Sequence, residues 1–274
     1  MIKQLLITLM TAVVLSCTGA VSSEKPKLRV LSFNILGGRN VDGKRDVSRL
    51  AKVIKALNPD IVALQEVDKG TGRIQGRDTS AELAKLLGMY HAYGKAMNFD
   101  GGEYGEAILS KYPIEAVKNF PLPAEKGAEP RAALTVTVKI PGSDIKYLFM
   151  ATHLDHLSHG RNRLMQAEKI NEIIGAETKP YILAGDLNAK PGSETVKVLM
   201  EKLSFPPEEL HQFTYNSKNP KVKIDWIGTD KSGKWKLLES FTADKIKNAP
   251  QGWQELLEVS SDHLPLMNIY EYNN

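Results

Sequence analysis

Ile182-Leu183-Ala184-Gly185-Asp186-Leu187-Asn188 decides how the rest of the chain is read. Three apolar residues end a buried strand. The glycine is expected to turn the chain, and a carboxylate and a carboxamide follow it, two residues apart. Residues two apart on an extended segment point the same way. Asp186 and Asn188 can therefore reach one point in a cleft at the strand's C-terminal end. Gly, Asp and Asn also favour plain strand-to-loop turns, so the stretch needs partners elsewhere before it implies chemistry.

Upstream, Leu28 to Asn34 alternates apolar and polar residues and ends before Gly37-Gly38, which predicts a strand. Asp46 to Leu57 carries Val47, Leu50, Val53, Ile54 and Leu57 at helical spacing and is stopped by Asn58-Pro59. Asp60 to Glu66 is a short apolar run that delivers a carboxylate at its end. Thr79 to Leu87 predicts a helix capped by Ser80. Gly105 to Ser110, Arg131 to Ile140 and Tyr147 to Thr152 predict strands, the last delivering His153, with a tight connection at Pro141-Gly142-Ser143. Asn162 to Ile174 and Ser193 to Lys202 predict helices, the second capped by Ser193. Lys223 to Gly228, Trp235 to Phe241 and Leu264 to Tyr270 predict the closing strands. Strands outnumber helices and come both with and without helical crossovers. That favours a mixed α/β domain with two sheets over one doubly wound sheet.

The chain has 274 residues, 42% hydrophobic and 25% charged, which is ordinary globular material. A net charge of +4 does not announce a nucleic-acid binder, nor does it repel an anionic ligand. Lys3 followed by the apolar run Leu5 to Leu15 resembles a secretory signal and is too short to span a bilayer. The single cysteine, in Val14-Leu15-Ser16-Cys17, resembles a bacterial lipobox. The expectation is an exported envelope lipoprotein, the alternative a soluble periplasmic or secreted protein cut after Ala20. A second cysteine is absent, so no intrachain disulfide forms. Residues 1–26 are set aside as signal and tether, and residues 27–274 are read as one domain.

Polar residues recur where apolar runs stop: Asn34, Glu66, Glu106, His153, Asp186, Asn188, Asp225, Asp262 and His263. Singly each is a cap or a turn; together they are oxygen donors of the kind a hard cation takes, plus imidazoles. The six histidines include no pair spaced three residues apart by intervening residues, as a zinc site would favour.

The ordered set Ser32-Phe33-Asn34-Ile35, Leu64-Gln65-Glu66, Gly105 to Ser110, Thr152-His153-Leu154, Gly185 to Asn188, Ile224-Asp225-Trp226-Ile227 and Ser261-Asp262-His263 resembles the endonuclease/exonuclease/phosphatase superfamily, across the whole mature domain. The resemblance implies an α+β fold, a four-layer sandwich of two mixed β-sheets flanked by helices, like deoxyribonuclease I. It implies Glu66 as the main metal ligand, helped by Asn34 and Asp262, with Mg²⁺ as cofactor and Mn²⁺ or Ca²⁺ possible. It implies His263 as acid/base oriented by Asp225, and Asp186 with Asn188 handling the attacking water and the transition state. Glu106 resembles the branch in which a carboxylate pairs with the histidine at the position of His153, or else is only a more acidic variant of the asparagine that many members carry there. Arg131 resembles an arginine near the phosphate, which His153 and Asn188 would also contact. His153-Leu154-Asp155-His156, with Arg163 and Gln166 downstream, resembles bacterial metal-dependent hydrolases.

The expected activity is hydrolysis of a phosphate mono- or diester by in-line water attack. The substrate is a nucleic acid, a phospholipid headgroup or a sugar phosphate, and the protein a monomer that meets a membrane only through its lipid. A secreted nuclease and an inactive binding module of the same fold are the alternatives. Six lysines, Lys218, Lys221, Lys223, Lys231, Lys234 and Lys236, form a loose basic tract, most simply a solvated face.

Overall fold

The computed structural model describes residues 27–39, 43–141 and 145–273. The expected signal segment with Cys17, and Gly142-Ser143 of the predicted connection, lie outside the described residues. Twelve strands form two sheets of six each. The first sheet holds β1 (Lys27–Asn34), β2 (Ile61–Lys69), β3 (Tyr90–Phe99), β4 (Gly102–Ser110), β11 (Trp235–Thr242) and β12 (Leu266–Tyr272), in the order β11-β12-β1-β2-β4-β3. The second holds β5 (Ile114–Leu122), β6 (Arg131–Lys139), β7 (Lys146–His153), β8 (Tyr181–Asp186), β9 (Leu203–Ser204) and β10 (Asp225–Asp230), in the order β5-β6-β7-β8-β10-β9. Both are mixed: β1 runs parallel to β2 and β7 parallel to β8, while the other pairs are antiparallel.

Helices α1 (Val47–Leu57), α2 (Thr79–Leu87) and α5 (Trp253–Ser260) pack with the first sheet through Leu50, Ile54, Leu83 and Leu257. Helices α3 (Arg161–Gly175) and α4 (Glu194–Leu199) pack with the second through Ile170, Ile174, Val196 and Leu199. Between the sheets, Val30, Ala63, Ile108, Val136, Phe149, Ala184 and Ile227 form the middle core. The order helix, sheet, sheet, helix is the expected four-layer sandwich. The three clusters draw their buried residues from Leu28 to Tyr270. No described helix is long and apolar enough to cross a membrane.

Several local expectations change. Helix α2 is capped by Asp78, which accepts from Ala81 N at 3.0 Å, while Ser80 Oγ donates to that same carboxylate at 2.7 Å. An N-cap carboxylate of this kind stabilises a helix by about 1 kcal/mol. Ser193 does cap α4, accepting from Val196 N at 3.4 Å, but the helix ends at Leu199. Strands β3 and β5 and helix α5 were not signalled by the sequence pattern. The strand expected from Lys223 starts at Asp225.

Gly185 does not turn the chain. It lies inside β8, paired with Thr152 on one side and Trp226 on the other. A Cβ there would sit 2.1 Å from the carbonyl oxygen of Thr152. The glycine is needed for close approach of β7 and β8, which carries the strand straight on to Asp186.

Candidate active site

Strand register brings the site together. His153 pairs with Asp186 across β7 and β8, and Asp186 with Asp225 across β8 and β10. Three functional side chains thus stand in one row at one end of the second sheet. The first sheet presents its own row at the same end: Asn34 is level with Gln65. The β2–β4 register slips between Leu64 and Val67, so Gln65 and Glu66 face the single residue Glu106. Glu66 takes φ +59 in this bulge. A non-glycine residue there is strained, and bulges re-aim side chains beside sites. Asn188, at φ +47, is held the same way just past β8.

The loop before β12 adds Asp262 and His263. Ser261 Oγ donates to Asn34 O at 2.7 Å and accepts from His263 N at 3.1 Å, tying this loop to the end of β1. Ser217 N donates to Asp262 O at 2.8 Å and Leu264 N to Thr214 O at 2.7 Å. The result is a cleft of about 380 Å³ bordered by Glu66, Arg131, His153, Asp186, Asn188, Asp262 and His263.

Two histidines face this cleft with opposite partners. His263 Nδ1 donates to Asp225 Oδ2 at 2.9 Å, and its Nε2 lies 3.6 Å from Asp186 Oδ2. Burial pulls this imidazole down, but Asp225 and Asp186 outweigh it and raise it to about 10. It is an imidazolium at neutral pH.

His153 Nδ1 instead accepts from Arg131 Nη1 at 3.0 Å. A guanidinium can only donate, so an imidazolium, which would need an acceptor at each nitrogen, is disfavoured here. Asp186 Oδ2 lies 3.5 Å from Nε2, and Asn188 Nδ2, another donor, 3.0 Å from it. Burial and then Arg131 hold His153 well below the ordinary histidine range. It is neutral.

Asp186 links the two corners. Its Oδ1 accepts from Asn188 N at 2.8 Å and its Oδ2 from Asn34 Nδ2 at 3.2 Å. Burial, reinforced by Asp225, raises it. Asn34 Nδ2 also donates to Glu66 Oε1 at 3.0 Å.

The expected pairing of Glu106 with His153 does not form. Arg131 Nη1 instead contacts His153 Nδ1, and it also pairs with Glu129 Oε1 at 3.0 Å. Glu106 is 1% exposed, and its Oε2 has no hydrogen-bond partner. Burial raises it to about 8, with Arg131 pulling partly back.

The metal ligands implied by the resemblance fit a hard cation. Glu66 and Asp262 both border the cleft, and no lysine or arginine of the described residues pairs with either. Asn34 bridges Glu66 and Asp186. Donor atoms of Asp186, Asp225 and His263 also fall within 4.8 Å of one another. There, however, His263 Nδ1 already bonds Asp225 and the neighbouring carboxylates raise the ring to about 10, which disfavours it as a metal ligand.

Further residues border the cleft, and of these Tyr104, Glu129 and Tyr215 escaped the sequence. Tyr104, Glu129, His156, Tyr215 and Ile224 also line the cleft, and the Tyr215 ring lies 5.0 Å from that of His263. Lys223 is no solvated lysine. It is 3% exposed, donates to Asp225 O at 3.2 Å and sits 4.2 Å above the Trp226 ring. Burial lowers it to about 8 against the pull of Asp225. Trp226 Nε1 donates to Ala189 O at 2.9 Å, which holds the loop behind Asn188. Asp155, Arg163 and Gln166 are structural: Asp155 accepts from Asn162 Nδ2, Asp155 N donates to Gln166 Oε1, and Arg163 Nη1 donates to the carbonyls of Asp155 and Leu157. They stiffen the loop after His153.

Comparison with known proteins agrees with the fold. An uncharacterized protein of Escherichia coli, YbhP, is 32% identical over 171 residues, 58% of this chain and 66% of that protein, so the chain covers just under two thirds of that relative. An endonuclease/exonuclease/phosphatase family protein of Bacteroides thetaiotaomicron superposes with TM-score 0.72 at 19% identity, over 92% of this chain and 100% of that one. A mannosyl-6-phosphatase of the same organism superposes with TM-score 0.69 at 20% identity, over 89% of this chain and 100% of that one. The profile of the Endonuclease/Exonuclease/phosphatase family matches residues 31–263, nearly the whole described domain, and the chain belongs to that family.

Proposed function

We propose that this protein is an exported phosphoesterase, dependent on a divalent cation, that hydrolyses a phosphate ester by in-line attack of water. One observation carries the reading: a buried carboxylate, Asp186, stands between a charged histidine and a neutral one at the base of a single cleft. Asp186, made more basic by burial, accepts the proton of the attacking water. Asn188 N and Asn34 Nδ2 fix the plane of its carboxylate. His263, charged and backed by Asp225, binds a phosphoryl oxygen and stabilises the negative charge of the transition state. His153 and Asn188, whose side chains meet at 3.0 Å beside Asp186, contact a second phosphoryl oxygen. Glu66, Asn34 and Asp262 would hold Mg²⁺, or Mn²⁺ or Ca²⁺, which supplies Lewis-acid polarisation of the phosphate and its leaving oxygen.

A discrete ester fits better than duplex nucleic acid. Among the described residues Arg131 is the sole arginine or lysine bordering the cleft, 3% exposed and paired with Glu129, and Lys218 and Lys221 are the only lysines exposed on the loop between Thr214 and Lys223. A polyanion needs a run of exposed cations beside the site. The likeness to a mannosyl-6-phosphatase in fold supports a phosphorylated sugar as the first substrate to try.

The test is hydrolysis of p-nitrophenyl phosphate, its bis-ester and mannose 6-phosphate by residues 27–274 with Mg²⁺. Turnover abolished by EDTA, by His263→Ala and by Asp186→Asn is expected. Full activity in either variant would contradict the assignment. No turnover of any ester with any of the three cations would favour a binding module.

A further inference from the structure

The lysine tract of the sequence is split by the fold. Lys218 and Lys221 are exposed on the loop at the cleft end, and Lys223 is buried beneath Asp225. Lys231, Lys234 and Lys236 are exposed at the opposite end, where β10 turns into β11. The chain also enters the fold at that end. Lys27 pairs in register with Glu271, Glu271 with Lys236, and Trp235 with Tyr272. Asn34, at the other end of β1, is in the cleft, roughly 23 Å away for a strand of this length.

This far end has its own chemistry. The half-buried rings of Trp235 and Tyr272 lie 4.6 Å apart, and Tyr147 lies 5.5 Å from Trp235. A depression of about 470 Å³ beside them is bordered by Tyr181 and Tyr272, by Lys231 and Lys234, and by the acids Asp230 and Glu177, the latter paired with Lys179 at 2.9 Å. Asp230 is the nearest acid in sequence, yet it is already occupied. Its Oδ2 accepts from Trp235 Nε1 at 2.7 Å and Tyr181 N at 3.0 Å, and its Oδ1 from Ser232 N at 2.9 Å. Lys231 donates only to a carbonyl, Met200 O at 3.0 Å, and Lys234 lies 5.9 Å from the Tyr272 ring. Among the described residues, no carboxylate pairs with Lys231, Lys234 or Lys236.

We propose that this end rests on an anionic lipid surface, with the cleft facing the water. Amphipathic rings beside uncompensated lysines suit the headgroup layer, where Trp and Tyr settle and lysines meet lipid phosphates. The position of the chain's entry supports the same occupant. The 26 residues before Lys27 contain the apolar run Leu5 to Leu15 and Cys17, and they join the fold here and not at the cleft. A tether at this point brings the lysine face down and the cleft up. The ester to be cleaved then arrives from solution and not from the leaflet underneath. The docking itself does not depend on the phosphoesterase reading, since it is measured without substrate.

The experiment is co-sedimentation of residues 27–274 with vesicles of phosphatidylcholine alone or mixed equally with phosphatidylglycerol. Binding to the mixed vesicles only, weakened by salt, is expected. A lysine close to such a surface strengthens partitioning about fivefold. Lys231→Glu with Lys234→Glu and Lys236→Glu should weaken it by about a hundredfold or more. Lys218→Glu with Lys221→Glu should leave it unchanged. Brominated lipid should quench Trp235, because Trp226 and Trp253 are buried. Thermal melts confirm folding, and the single changes Lys234→Gln and Lys236→Gln replace the triple variant if it unfolds. Equal binding to both vesicles, or equal loss in the Lys218/Lys221 variant, would overturn the proposal. So would duplex oligonucleotide captured through Lys231, Lys234 and Lys236 when vesicles are not.

Discussion

The two histidine corners of the cleft contain the same ring and reach opposite charge states. His263 is backed at Nδ1 by the carboxylate of Asp225, His153 at Nδ1 by the guanidinium of Arg131. Both are buried, so desolvation opposes charge in each. The partner decides the outcome. A carboxylate with Asp186 beyond it overcomes burial, whereas a guanidinium adds to it. The difference gives one site a cationic ring and a neutral ring on either side of one basic carboxylate. It also means that a histidine's role is set by what holds its far nitrogen.

The largest effect should come from removing the charged corner. His263→Ala is expected to lower kcat by about a thousandfold, measured on the bis-nitrophenyl ester. Asp225→Asn keeps the ring but removes the charge behind it. The expected loss is about a hundredfold, and the His263 pKa should fall from about 10 toward its ordinary 6.5. Unchanged titration in that variant would mean that Asp186 alone holds the proton.

The neutral corner should respond less. Arg131→Met removes the donor held against Nδ1, and a loss of about tenfold is expected, as for other partners that orient a histidine. The His153 pKa should rise in the same variant, since a neighbouring cation is gone. A drop in that pKa would contradict the account.

The smallest effect concerns Glu106, behind Arg131. Its folded pKa of about 8 stands above its ordinary 4.5. The neutral form therefore stabilises the fold fully below 4.5, and that contribution is lost as the pH rises through 8. Glu106→Gln keeps the neutral form at every pH. It should melt about 5 °C above the parent near about pH 9, for a burial cost of about 2 kcal/mol, and match it near about pH 5. A constant offset across that range would mean that Glu106 pairs with Arg131 as an anion.

The sequence disclosed more of the site than of its wiring. Strand ends are legible because an apolar run that stops at a carboxylate or histidine is unusual, and most of the site residues stand at such ends. Edge strands are less legible. In β5 most side chains are exposed, so no alternation marks it, and β3 is interrupted by Gly94 and a register slip. Gly185 could not be distinguished from a turn residue, because the reason for it is the Thr152 carbonyl on another strand. The placement of Arg131 between Glu106 and His153 depends on how two sheets meet, which no local pattern encodes. The lysine tract illustrates the same limit, since β10 carries its halves to opposite ends of the molecule.

The most direct test of the central contrast is nitrogen NMR of the histidine rings in metal-free protein across neutral to alkaline pH. His263 is expected to keep protons on both nitrogens until the pH nears about 10, while His153 stays neutral throughout. Two rings titrating together near their ordinary value, or a doubly protonated His153 beside a neutral His263, would contradict it.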